Sequence, residues 1–423
     1  MSRFLRILSV FSFLMSAIPL IAGCDIGQKP PTTVPIGAVY PLSGTLAPGA
    51  DIRQGIELAV EIINGEYDLD LPLARPAGLP NLGGARIEIV WADHGGDPEK
   101  GAAETRRLLE EEKVVALLGA YQSSVTAQAS QVAEAAGVPF LNPESSSPSL
   151  TQRGFRWFFR TTADDSIFVR NFFDFLADLK ARRGFAPQSL AIVYENSLFG
   201  TGVGQLESEQ AQQAGLTVAA EVPYAATTTD VRAEVQKIVA SGATVVMQAS
   251  YDQDAILFMQ TYKASGYRPE AILAMDAGFI SPAFVNTLGD DANYVLSREV
   301  WALDLGRARP LITRVNDLYH QRYGANMTGT STRAFTGLIV LADAINRAGS
   351  TEPERIRQAL LATNLPAEQL IMPWDGVRFD PQTGQNVLAR GIIVQIQERA
   401  YYTVWPWDLA SRDLIWPMPD WGQ

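Results

Sequence analysis

From Val34 onward the chain alternates short apolar runs with longer stretches that carry a helical apolar stripe, and that rhythm admits few architectures. The spacing predicts strands over 34–40, 86–92, 114–119 and 138–141, with helices over 50–64, 98–111 and 123–136 between them. Apolar strands joined by helices through short connections form a parallel sheet with helices on both faces. A Pro/Gly-rich stretch, 67–84, interrupts the series as a surface excursion. A second series begins after Arg160-Thr161-Thr162. Helices over 166–181, 202–214, 231–241 and 252–265 alternate there with strands over 189–194, 217–222, 244–249 and 270–275. Its architecture repeats the first without visible sequence identity, which predicts a second lobe. After Val300 the pattern turns helical (311–323, 332–348, 353–363), then gives two strand-like runs, 377–379 and 390–397. The Trp- and Pro-rich end, 405–423, has no period and reads as a strap. At 423 residues the chain is too long for one ordinary core, which fits two lobes.

The first residues are a processing segment. Arg3 and Arg6 precede an apolar run, 7–22, shorter than the roughly 20 residues a spanning helix needs. Residues 1–23 therefore read as a signal peptide. Leu20-Ile21-Ala22-Gly23-Cys24 resembles the bacterial lipoprotein box, which implies cleavage before Cys24 and lipid attachment there. Residues 24–33 form a polar, Pro-containing tether. Cys24 is the only cysteine, so no disulfide forms within the chain. Without the two leader arginines, 34 basic residues become 32 against 46 acidic ones, a balance of −14. Such a body does not suit nucleic acid.

Enzymatic signals are weak. The two histidines, His94 and His320, lack ligand spacing, and no Gly-x-Ser-x-Gly elbow occurs. No catalytic residue, metal site or cofactor is expected. Gly200-Thr201-Gly202-Val203-Gly204 departs from a dinucleotide fingerprint and reads as close backbone approach.

Binding chemistry is better supported. Ligands of open α/β sheets gather beyond the carboxyl ends of the strands. Those ends here carry Gln122, Ser123 and Ser124, the Ser145-Ser146-Ser147 turn between Pro143 and Pro148, Phe199, Tyr251 and Asp276. Ser123 and Ser124 open a helix, whose free amides and dipole favour a carboxylate; helix capping is compatible with that role. Asp276 is either a turn aspartate or a partner for a ligand ammonium. Phe199 and Tyr251 are either packing aromatics or a wall for an apolar side chain.

These residues lie within a longer pattern. Ile36-Gly37-Ala38-Val39-Tyr40-Pro41-Leu42-Ser43-Gly44 and the stretch from Gly55 to Asn64 resemble the leucine/isoleucine/valine-type periplasmic binding proteins. So do Asp97-Pro98, Val115 to Gly119, Gly137-Val138-Pro139, Pro143 to Thr151, Phe159-Arg160-Thr161, Phe199-Gly200, Ala264 to Tyr267 and Val377 to Asp380. The resemblance covers about residues 34–400. It implies an α/β, two-lobed type I periplasmic-binding-protein fold, each lobe a mainly parallel sheet flanked by helices. Three crossovers, near 162, 297 and 374, would hinge 34–161 plus 298–373 against 162–297 plus 374–404. By the same resemblance, Ser123 offers its hydroxyl to a ligand carboxylate and Ser145 offers backbone groups. Ser146 stands where the family usually has a threonine, Asp276 where an acid holds an α-ammonium, and Phe199 and Tyr251 where aromatics cover the ligand. Ser145-Ser146 in place of Ala-Thr, and Pro48 in place of a tyrosine, are departures. The implied protein is a lipid-anchored, extracytoplasmic solute-binding protein at the periplasmic face or outer surface of the cytoplasmic membrane. It would deliver an amino acid, apolar or branched, to the permease of an ABC importer. Urea, a short amide or an aromatic carboxylate is the alternative ligand, and a tethered sensor the alternative role.

Overall fold

The computed structural model describes residues 31–43, 48–226 and 228–421. The leader, Cys24 and the tether up to residue 30 lie outside the described residues.

The first sheet is built from β1 (Thr33–Tyr40), β2 (Arg86–Asp93), β3 (Ala116–Gly119), β4 (Phe140–Asn142) and β5 (Phe158–Arg160), with α1 (Gly49–Asn64), α2 (Pro98–Glu110) and α3 (Ser123–Ala136) between the early strands. All its pairings are parallel, in the order β2-β1-β3-β4-β5. Leu117 and Leu118 are neighbours in β3 yet join different apolar clusters, as a period of two requires when helices cover both faces. Local chemistry fixes the helix ends. The Asp97 carboxylate accepts from the Glu99 and Lys100 amides at 2.8 and 3.0 Å ahead of Pro98, and Gly137 stops α3 at φ 66°.

The chain continues through α4 (Asp165–Arg183), β6 (Leu190–Glu195), α5 (Leu198–Gln213), β7 (Val218–Tyr224), α6 (Arg232–Ser241), β8 (Val245–Ala249), α7 (Asp252–Ala264), β9 (Ala271–Ala274), α8 (Pro282–Leu288) and β10 (Leu296–Glu299). It then forms α9 (Pro310–Tyr323), α10 (Gly329–Ala348), α11 (Pro353–Leu361), the two-residue pair β11 (Leu365–Pro366) and β12 (Gly376–Val377), and finally β13 (Ile392–Gln397) and β14 (Ala400–Trp405). The second sheet has the order β14-β13-β10-β9-β8-β6-β7; β13 runs antiparallel to both neighbours and the other pairings are parallel. α10 sits beside α1, where Asp51 accepts from Tyr319 at 3.0 Å and from Thr328, the N-cap of α10.

Several elements depart from the sequence expectations. α5 begins at Leu198 rather than Gly202, because the Glu195 carboxylate takes the Ser197 and Gly200 amides at 2.6 and 2.8 Å. Gly200 and Gly204 allow the close approach expected of them: a Cβ would fall 2.1 Å from the Glu195 carbonyl and 2.2 Å from the Tyr194 ring. β10 was not expected, since Leu296-Ser297-Arg298-Glu299 lacks an apolar pattern; both of its ionisable residues are buried, Arg298 against Asp276 and Asp165. Residues 377–379 pair only at Val377, with Phe379 bridging Asn386. Trp405, placed in the strap by sequence, ends β14.

Each parallel sheet reverses its strand order once. In the first sheet β1 leads outward to β2 and inward to β3; in the second, β6 has β7 on one side and β8 on the other. Such reversals open a crevice at the carboxyl ends of the two inner strands.

Candidate functional site

Residues at and near the two crevices line one cavity of about 300 Å³ empty volume. From the first sheet come Tyr121 and Ser123 beyond β3 and Glu144, Ser145 and Ser146 beyond β4; α10 adds Arg333. From the second come Phe199 after β6, Tyr251 after β8, Asp276 and Ala277 after β9, and Arg298 on β10. Six residues singled out from sequence thus share one lining. Gln122 does not belong to it: as N-cap of α3 it sits beside Gly96, outside the cavity.

The serine turn is held from behind. Ser145 Oγ lies 2.9 and 3.0 Å from the carbonyls of Ala120 and Tyr121 and 2.6 Å from Thr126 Oγ1, tying the turn to the start of α3. Arg160, fully buried at the end of β5, donates to the carbonyls of Ser147 (2.7 Å) and Ser145 (3.3 Å) and to Gln385 Oε1 (2.6 Å). Ser147 Oγ meets Ser149 Oγ at 3.0 Å, and the Ser147 amide donates to Ser123 Oγ at 3.4 Å. Only Ser146 turns its hydroxyl toward the second sheet, 3.5 Å from Arg298 Nη2. No side chain caps α3, so the amides of its first turn stay without the partners a capping residue supplies.

Asp276 is held from in front. Its backbone has φ 58° and ψ −138°, a conformation costing a non-glycine residue on the order of 1–3 kcal/mol, so the surrounding structure imposes it. Gly278 makes the turn possible, because a Cβ there would lie 2.4 Å from the Tyr251 carbonyl. Arg298 Nη1 and Arg333 Nη1 both donate to Asp276 Oδ2, the latter at 2.7 Å. Oδ1 makes no well-aligned hydrogen bond among the described residues, although the adjacent Ala277 amide also helps hold the carboxyl low. Arg298 is stacked 3.9 Å from the Phe168 ring centroid and 3.7 Å from Asp165; Arg333 Nε is 2.9 Å from Glu144 Oε2, close but not aligned for a hydrogen bond.

Charge decides the protonation of this cluster. Burial pushes Asp276 up, but the Arg298 and Arg333 guanidiniums outweigh it and keep the carboxyl below its ordinary range. Burial pushes Glu144 up to about 8, only partly opposed by Arg333. Glu299, on β10, rises to about 8 through burial and the Asp276 charge. Opposite these ions, Tyr251 brings Phe199 and Tyr121 into an aromatic wall, with ring centroids 5.7 and 6.4 Å apart. Elsewhere His94 is buried, accepts from the Gly96 amide at 3.0 Å, and is lowered to about 4 by burial. Among the described residues no metal-type cluster occurs, and no helix is long and apolar enough to cross a membrane.

Sequence reasoning did not single out Glu144, Arg160, Arg298 or Arg333 for this site. Arg333 left a usable signal: it lies next to Ala334-Phe335 in a helix with 17 of 20 residues buried, where an unpaired charge is not tolerated.

The description "periplasmic binding protein" belongs to a family model that matches residues 33–399. Leu/Ile/Val-binding protein homolog 8 of Brucella abortus (strain 2308) is 30% identical over 418 residues, covering 92% of this chain and 97% of the relative. Homolog 7 of Brucella suis biovar 1 is 29% identical over 430 residues, 99% of this chain and 100% of the relative. Among solved structures, a leucine binding protein, LivK, from Thermotoga maritima superposes with TM-score 0.75 at 18% identity, over 88% of this chain and 98% of that one. LivJ, a branched-chain amino acid transporter substrate binding protein of Streptococcus pneumoniae solved with isoleucine, gives TM-score 0.72 at 21% identity, over 88% and 99%.

Proposed function

Because the chain belongs to the periplasmic binding protein family, we propose that it is an extracytoplasmic, lipid-anchored receptor that captures an amino acid and passes it to an ABC importer. The observation that carries the amino-acid reading is the Asp276 carboxylate, ionised and buried, with Oδ2 occupied and Oδ1 open. An ammonium donating to Oδ1 completes it, while the Ser123 hydroxyl and the first-turn amides of α3 receive the ligand carboxylate. Ser146 adds its hydroxyl. Tyr121, Phe199 and Tyr251 wall the side chain, which supports an apolar or branched one, as do the names of the relatives. The first sheet with residues 300–386 would move as one lobe against the second sheet, which includes β10 and 392–404, closing on the ligand because contacts from both are completed only in the closed form. This sets the second and third hinges later than 297 and 374, since β10 pairs in the second sheet and residues 384–386 bond to β5. Cys24 would carry the lipid, and the residues after Trp405 would strap the second lobe.

Calorimetric titration of protein unfolded and refolded to strip bound solute tests the ligand class. Binding of an apolar amino acid, with none for urea, short amides or aromatic carboxylates, is the expected result; the reverse order overturns it. Loss of membrane association on Cys24→Ala tests the anchor.

A further inference from the structure

Four ionisable side chains of the cavity (Glu144, Asp276, Arg298 and Arg333) are each at most 6% exposed, and Asp276 and the two arginines carry charge. Natural proteins bury charges when these are paired and held. The arrangement around Asp276 is uneven, though. Both guanidiniums converge on one oxygen and leave the other open. Arg298 reaches it from β10, which lies beside β9 in the second sheet. Arg333 reaches it from the first turns of α10, the helix that packs beside α1 on the first sheet. Each guanidinium is itself steadied, Arg298 over the Phe168 ring and Arg333 beside Glu144 and Thr330. The carboxylate therefore has no freedom to turn Oδ1 away from the cavity.

We infer that Arg298 and Arg333 are positioning residues that set how strongly the site prefers a ligand bearing an ammonium over the same ligand without one. This rests on the amino-acid reading above and deepens it. The reasoning is one of valence. With Oδ2 doubly occupied, the ligand has one acceptor left to satisfy, and an ammonium satisfies it with both a hydrogen bond and a charge. A hydroxyl in its place supplies the hydrogen bond and no charge. If either guanidinium is removed, the carboxylate loses part of the field that keeps it ionised in a buried place, and its Oδ2 becomes a competing acceptor. Preference for the ammonium then falls, while Ser123 and the first-turn amides of α3 keep their places; Arg298, unlike Arg333, also reaches the Ser146 hydroxyl at 3.5 Å. Because Arg333 and Asp276 belong to different sheets, this alignment exists only while the two sheets are in their present approach.

The test compares the standard amino acid that wild-type protein binds most tightly with its 2-hydroxy acid, both by calorimetry. Wild-type protein is expected to prefer the amino acid by about 100-fold, the scale of a buried charge pair losing one member. Arg333→Gln is expected to cut that preference by about tenfold or more, with 2-hydroxy acid affinity changed by less than about threefold. Arg298→Gln is expected to make the same cut in preference, with an added loss common to both ligands through Ser146. Lysine at either position, which keeps the charge but not the fork, restores part of it. In an Asp276→Asn background the Arg333→Gln change is expected to add nothing to the preference. Equal weakening of both ligands, or an unchanged preference, overturns the inference and makes the arginines ordinary supports. Should Arg333→Gln melt below the assay temperature, Arg333→Lys decides: an unchanged preference there overturns it. If wild-type protein binds no amino acid, the amino-acid reading itself fails, which the wild-type titration alone reveals.

Discussion

Two turns meet in the cavity, and each is organised around buried arginine, but to opposite ends. In the serine turn Arg160 stands behind the chain and takes the carbonyls of Ser145 and Ser147. The arginine satisfies the backbone, and the Ser146 side chain is left to face the cavity. In the Asp276 turn Arg298 and Arg333 take the side chain itself, and only one of its two oxygens remains open. The first arrangement makes a neutral, pre-set donor surface whose fixation is independent of its chemistry. In the second, fixation and chemistry are the same contact. A substitution behind the serine turn should therefore cost stability first, and one at Asp276 should cost binding first.

The largest expected effect tests the second half of that contrast. Asp276→Ala should weaken amino-acid binding at least about 100-fold, corresponding to roughly 3–5 kcal/mol for a buried pair that loses one partner. Calorimetry measures it, and unchanged affinity would remove the clamp. Arg160→Met comes next. It leaves the Ser145 carbonyl and Gln385 Oε1 without their Arg160 donors, while the Ser147 carbonyl keeps the Leu150 amide. Urea denaturation should therefore show a loss of about 3 kcal/mol, with binding by the folded fraction nearly preserved. If that variant stays stable but stops binding, the contrast between the turns is wrong. Ser146→Ala should cost about 1 kcal/mol of binding, about fivefold in Kd, because one neutral hydroxyl is removed. A variant binding as well as the parent would return the turn to a structural role.

A further effect is in pH. Glu144 is raised from 4.5 to about 8, so its folded form keeps a proton that the unfolded chain releases. Its stabilising contribution is complete below about 4.5 and disappears as pH rises through about 8. The Asp276 carboxyl is lowered, so its contribution is present at neutral pH and vanishes only on acidification below the ordinary carboxylate range. Glu144→Gln should therefore show a smaller fall in melting temperature between pH 5 and pH 8 than the parent, with the same fall below pH 4. Identical slopes in the two proteins would show that Glu144 does not hold its proton.

What the sequence made legible follows from what repeats along it. The β–α rhythm, the start of α3 at Ser123 and the turn after β9 are local patterns, and the structure has them where they were expected. The six residues that share the lining were found because each follows a strand. Arg298 and Arg333 were not, because their meaning comes from partners far along the chain: Asp276 for both, and Glu144 for Arg333. A charged residue in a four-residue strand reads as exposure until its counter-charge is known. The same reason hid β10, whose burial depends on pairing rather than on apolar character. Gln122 has the right neighbours in sequence, but as N-cap of α3 its side chain reaches toward Gly96 and is not among the residues that line the cavity.

β5 is the outermost strand of the first sheet, and its free side is covered by residues 384–386: the Arg160 amide donates to the Gly384 carbonyl, and the Asn386 amide donates to the Arg160 carbonyl. An uncovered strand edge is a template for pairing with another chain. This one is completed only by a segment more than two hundred residues later in the sequence. Any product that ends before residue 384 would present that edge bare, so truncated or incompletely exported chains should pair through β5 more readily than the finished protein.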